Sequence, residues 1–214
     1  MYHPLTTLRS LTRRSASDPI IKLSVREEKT IVSVHKSILC ASSKFFQSAT
    51  KSEWTELRTE AEPIDLGDDE LEVVKLYAHW VYVGKLPTWD NELDGNTVLT
   101  SLCKAYVFGE KIMDTKYKNM VIDGLSAATK KYNKYPLGAA EKIVYDGTPS
   151  GSPARRLLAD FWAYRGHKVW FDHIETCPAD LLKDALKAMM TLRPTMSEDP
   201  WEKRSQNYHE KDEV

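Results

Sequence analysis

The run Ile20-Ile21-Lys22-Leu23-Ser24-Val25 constrains this chain more than any other feature. Its polar and apolar residues alternate and its composition is rich in β-formers, so it reads as a strand. Asp18-Pro19 punctuates its start. Arg26-Glu27-Glu28-Lys29 reads as a polar turn, and Thr30-Ile31-Val32-Ser33-Val34 as the returning strand of a hairpin. A small sheet of this kind must bury its apolar face against helices, which makes the fold class α/β of the α+β type.

The rest of the chain supplies those helices. His35 to Ala41 reads as a short helix with Ile38 and Leu39 inward. Ser42 or Ser43 can cap Lys44–Ala49, because a hydroxyl there accepts from the free amides of the first turn. Phe45, Phe46 and Ala49 then face inward. Trp54 to Glu62 is polar and reads as a loop, and Pro63-Ile64-Asp65-Leu66 as a short strand. Asp68-Asp69-Glu70 puts acids at the start of Leu71–Val83, where the helix dipole favours them. Val73, Leu76, Tyr77, Trp80 and Val81 form its apolar stripe, and Gly84 its stop. Asn96 caps a helix to Met113 with Leu99, Leu102, Cys103, Tyr106 and Ile112 buried. Further helices are expected over Asp114–Tyr132, Leu137–Tyr145, Ala154–Arg165 behind the Ser152-Pro153 start, and Ala179–Thr191. In the last of these Leu182, Ala185, Leu186 and Met189 are expected to point inward.

Three pieces in order carry a family resemblance: Asp18 opening an apolar strand, then Val34-His35-Lys36-Ser37-Ile38-Leu39-Cys40-Ala41-Ser42-Ser43-Lys44-Phe45-Phe46, then Trp80-Val81-Tyr82-Val83-Gly84. This order and spacing resemble the BTB/POZ family, of the short stand-alone type common in filamentous fungi. The resemblance implies a BTB/POZ fold with a small mixed sheet flanked by helices, followed by a helical C-terminal extension. It divides the chain into a flexible basic tail at 1–15, a BTB/POZ domain at 16–115, a helical extension at 116–191 and a polar tail at 192–214.

The implied function is non-enzymatic protein–protein interaction, with a homodimer or heterodimer formed through the BTB domain. Asp18 and Lys36 match a charged pocket near the dimer interface of dimeric members, and a half-buried ion pair between them is expected. His35 is expected to anchor the strand-to-helix turn. The alternative is a substrate adaptor of a cullin-based ubiquitin ligase. Trp54-Thr55-Glu56 matches the hydrophobic-x-Glu pattern of cullin-binding members, which makes Trp54 and Glu56 the cullin-facing residues.

Other chemistry finds little to stand on. Lys and Arg number 30 against 31 Asp and Glu, a net charge of −1, which leaves no chain-wide footprint for nucleic acid. No apolar run is long enough to span a membrane. Cys40, Cys103 and Cys177 are odd in number and widely spaced, which fits neither a disulfide framework nor a zinc ribbon. His167, His173 and Cys177 are close in sequence but match no zinc template. No phosphate-binding loop or nucleophile elbow occurs, so no catalytic residue, cofactor or metal is expected. Lys130-Lys131-Tyr132-Asn133-Lys134-Tyr135 reads as a solvated basic face. The expected compartment is intracellular, cytoplasm or nucleus. The Arg-rich, acid-poor start also has the composition of a mitochondrial transit peptide, with a basic tail the preferred reading.

Overall fold

The computed structural model describes residues 18–25, 30–51, 62–89 and 93–192. Strands β1 (Ile20–Val25) and β2 (Thr30–His35) form the antiparallel hairpin, with Ile20 opposite His35 and Leu23 opposite Val32. The short β3 (Ile64–Leu66) pairs parallel to β1, giving a three-stranded mixed sheet in the order β2-β1-β3. Leu23, Val25, Val34, Ile64 and Leu66 form its buried face. The expected polar turn at 26–29 and most of the expected 54–62 loop lie outside the described residues.

Two helices lie against β2, α1 (Lys36–Leu39) and α3 (Leu71–Val83); α2 (Lys44–Ala49) follows α1 in the chain, and α4 (Gly95–Lys111) packs on α3. Ser43 caps α2 by accepting from the Phe46 amide at 3.2 Å, and its hydroxyl donates to the Ile112 carbonyl at 2.7 Å. The α3 helix stops at Gly84, whose φ of 73° lies where a Cβ is penalised. The α4 helix begins earlier than expected. Asp94, not Asn96, is the cap, accepting from the Asn96 amide at 3.1 Å. A carboxylate two residues upstream outcompetes the asparagine for the open N-terminal amides, because it accepts with full charge.

Beyond α4 the chain is helical: α5 (Thr115–Tyr132), α6 (Ala139–Gly147), α7 (Pro153–Arg165), a 3-10 turn (Lys168–Trp170), α8 (Phe171–Ile174) and α9 (Ala179–Leu192). A fully buried Asp114 starts α5. It accepts from the Tyr117 amide at 3.0 Å, from the Tyr77 hydroxyl at 2.9 Å and from the Ser42 hydroxyl. One carboxylate thus fastens the α1–α2 turn, α3 and α5 together. Around it, Tyr77 packs its ring on Phe46, Trp80, Phe108 and Tyr117. The tryptophans Trp80, Trp162 and Trp170 are all buried, as their apolar stripes suggest.

The helices after α5 use charge inside the core. Arg155 is buried; its guanidinium donates to the Tyr145 carbonyl at 2.6 Å, to the Thr148 carbonyl, and to the Thr148 hydroxyl at 3.1 Å. It also lies over the Tyr145 ring, 4.6 Å from its centre. At Gly147 a Cβ would come within 2.4 Å of Val107 Cγ1, so only glycine lets α6 close on α4. The α9 helix departs from expectation. Leu181 and Ala185 are its buried residues, while Leu186 and Met189 are exposed rather than inward. The amphipathic stripe was real, but α7 and α6 cover only its N-terminal edge. Among the described residues no helix is long and apolar enough to cross a membrane.

Candidate interaction surface

Alternation along the hairpin puts the polar and leftover apolar side chains on the face turned away from the helices. Ile20 and Ile31 lie there, 58% and 44% exposed. Ile31 belongs to β2, an edge strand of the sheet. Native sheets shield exposed edges with charge, bulges or a covering segment. The two isoleucines lie at opposite ends of the paired strands. Ile20 faces His35, and Ile31 faces Ser24.

The residues matched to a charged pocket flank the Ile20 end. Asp18 accepts from the Ser37 amide at 3.3 Å and from the Ser37 hydroxyl. The Lys36 amide donates to the Pro19 carbonyl at 2.8 Å, extending the ladder into the first residue of α1. Lys36 Nζ, however, donates to the Thr50 carbonyl at 3.0 Å, at the C-terminal end of α2. Asp18 and Lys36 are therefore neighbours along the ladder, but the expected ion pair does not form within the chain. The reason is helical geometry. Successive side chains in α1 turn by about 100°, so Ser37 faces Asp18 while Lys36 points toward α2.

His35 closes the same corner. The Tyr82 hydroxyl accepts from the His35 backbone amide at 3.0 Å and lies 2.7 Å from His35 Nδ1. With the amide proton already donated to it, that hydroxyl can give its own proton to a neutral Nδ1. The strand-to-helix turn is thus pinned to the end of α3, 47 residues away in sequence. Sequence reading singled out His35 but missed Tyr82, Ser37 and Thr50 as partners. The aromatic-x-Gly ending at Tyr82 was the one available signal. Trp54 and Glu56 lie outside the described residues.

Hollows lined by described residues lie elsewhere. One, of about 390 Å³, runs between α3 and α4 and is lined by Val73, Leu76, His79 and Trp89, with the Lys104–Glu70 ion pair at 2.5 Å on its wall. Another, of about 530 Å³, sits between the start of α4, the α5–α6 connection and the 3-10 turn with α8. Behind its wall Glu141 is fully buried. Its carboxylate accepts from Trp162 Nε1 at 2.6 Å, the Gly138 amide at 2.9 Å and Cys177 Sγ at 3.4 Å. Burial holds this carboxyl above its ordinary value, against the opposing pull of those bonds and of nearby His173.

Two of the cysteines are unsuited to nucleophilic chemistry. Burial, and then the Glu141 charge, push the Cys103 and Cys177 thiols up to about 12. A thiol raised in this way is a poor nucleophile and a poor metal ligand. Among the described residues no cysteine or serine hydrogen-bonds to a histidine ring, and no cluster of His, Cys, Asp and Glu could hold a metal ion. In the basic stretch, Lys131 donates to the Trp89 carbonyl at 3.1 Å and Lys134 pairs with Asp94, so those charges are tied to their own fold.

The model of the BTB/POZ domain matches residues 10–128, more than half of the chain. No curated protein matches it.

Proposed function

We propose that this chain, which belongs to the BTB/POZ family and so carries a protein–protein interaction module, works without catalysis by pairing with a second BTB chain, like or unlike, through its hairpin face. In this reading residues 16–115 are the BTB unit and 116–191 its helical extension, between tails at 1–15 and 192–214. Asp18, His35 and Lys36 shape the corner of the contact. The observation that carries the reading is the pair of exposed isoleucines, Ile20 and Ile31, on the sheet face opposite the buried Leu23, Val25 and Val34. The module needs no cofactor and acts in the cytoplasm or nucleus.

Size-exclusion chromatography with light scattering tests this on the wild-type chain and on Ile20→Lys, Ile31→Lys, Asp18→Lys and Lys36→Glu. The wild type is expected to dimerise at about tens of micromolar, where specific pairs normally persist. The isoleucine variants should be monomeric, since each puts a charge into an apolar contact. A monomeric wild type removes self-pairing. A dimer indifferent to all four substitutions moves the interface elsewhere.

The second reading is a substrate adaptor of a cullin-based ubiquitin ligase, supported by the Trp54-Thr55-Glu56 motif and by the helical half that could carry a substrate. A cullin pull-down that Glu56→Lys abolishes would decide for it.

A further inference from the structure

The 530 Å³ hollow lies where the sheet-bearing half meets the later helices, the kind of seam where ligand sites collect, and its size is ordinary for one. Its wall has two distinct parts. One is aromatic and apolar: Tyr135 and Trp170 pack edge to face with their centres 5.2 Å apart, beside Pro136 and Leu137. The other is polar and contains no carboxylate: Asn96, Asn133, Lys134, His167 and His173. Among the described residues the side chains of Asn96, Asn133, His167 and His173 make no hydrogen bond. Two of the neighbouring acids are engaged, while Asp172 on α8 is exposed. Asp94 pairs with Lys134, and Glu141 is buried behind the wall. Lys168 adds an exposed cation on the 3-10 turn beside the mouth.

We propose that this hollow receives one aromatic side chain from an acidic peptide segment of a partner protein. The ring would stand against the half-buried Tyr135, with the buried Trp170 behind it, where aromatic pairs gain from offset or edge contact. Carboxylates on either side of it would accept from the Asn96, Asn133, His167 and His173 side chains, and meet Lys168. An apolar floor with a donor-rich rim selects that chemistry over a cationic or purely aliphatic segment. The proposal does not rest on the hairpin face, and stands or falls separately from dimer formation.

The full chain can be titrated, by fluorescence anisotropy, into a labelled hexapeptide Ser-Glu-Asp-Pro-Trp-Glu. Companion peptides replace the tryptophan by alanine or the acids by their amides. Binding of about 100 µM or tighter is expected for the parent peptide. It should weaken roughly tenfold for each companion, and weaken as salt screens the carboxylates. His167→Glu and Asn96→Glu, both at exposed positions, should each lower affinity roughly tenfold by placing like charge on the rim. His173→Glu should do the same, with its thermal unfolding checked against wild type. No binding of the parent peptide, or equal binding by all three variants, overturns the proposal. The chain's own Ser197–Glu202 has the same sequence as the probe. Binding that appears only in a Trp201→Ala chain would therefore overturn an external partner in favour of that segment.

Discussion

The two regions of this molecule solve the problem of buried polarity in opposite ways. In the sheet-bearing region one carboxylate, Asp114, is the polar centre, and a ring cluster around Tyr77 does the packing. In the helical region after Asn133 the interior holds both a cation and an acid. Arg155 ties the α6–α7 connection, and Glu141 ties α6 to α7 and to Cys177. The difference teaches where each region is vulnerable. Damage to the first is a cavity, whereas damage to the second is an orphaned charge or carbonyl.

The largest expected effect is Tyr77→Ala, which removes a fully buried ring from four neighbours and a hydroxyl from Asp114. It should cost about 4 kcal/mol by chemical denaturation. A loss under about 1 kcal/mol would show that the ring cluster is not the packing centre. Next comes Arg155→Met, which leaves the Tyr145 and Thr148 carbonyls buried without a donor, at about 3 kcal/mol. Hydrogen exchange should place that loss in α6 and α7 and leave β1 and α3 protected. Loss of protection spread evenly through the chain would instead make the two regions one cooperative unit.

A subtler difference is in pH dependence. The Glu141 carboxyl is raised in the folded state, so protonated Glu141 favours folding. Its contribution is fully present below the ordinary carboxylate value and is lost as pH rises through the folded one. Asp94 and Asp180 are held low by hydrogen bonds to Lys134 and Lys183, so they act in the opposite sense, favouring folding above the ordinary value and losing that as pH falls. Denaturation midpoints measured from pH 4 upward should therefore show a component that Glu141→Gln removes. The same profile in wild type and variant would show that Glu141 is already compensated. The smallest effect belongs to Leu186→Lys on the open face of α9, expected within about 0.5 kcal/mol of wild type. A larger loss would reveal a contact that covers this residue.

Much of the first region was legible in the chain because its signals are local. Strand alternation named the two strands of the hairpin. Spacing of three and four named Val73, Tyr77 and Trp80, and Ser43 was one of two caps foreseen. The start of α4 was misplaced because Asp94 and Asn96 are both competent caps, and only the position of the helix itself chooses between them. The inward face of α9 was misread for a related reason. An apolar stripe announces that something should cover it, but not that the chain's own helices will.

The candidate surface was legible as residues and not as contacts. Asp18, His35 and Lys36 were found by their place in a pattern, yet pairing Asp18 with Lys36 required knowing how α1 is turned against β1. That turn places Ser37, not Lys36, against Asp18 and sends Lys36 to Thr50. By itself the sequence determined most of the strands and helices, though not the 3-10 turn and α8, and that the family is BTB/POZ, because periodicity and short motifs are properties of neighbouring residues. Only the tertiary structure decided which partners the polar groups find: Tyr82 for His35, Asp114 for Tyr77 and Ser42, Glu141 for Trp162. Those bonds join residues far apart along the chain, and their directions are set by how whole helices pack.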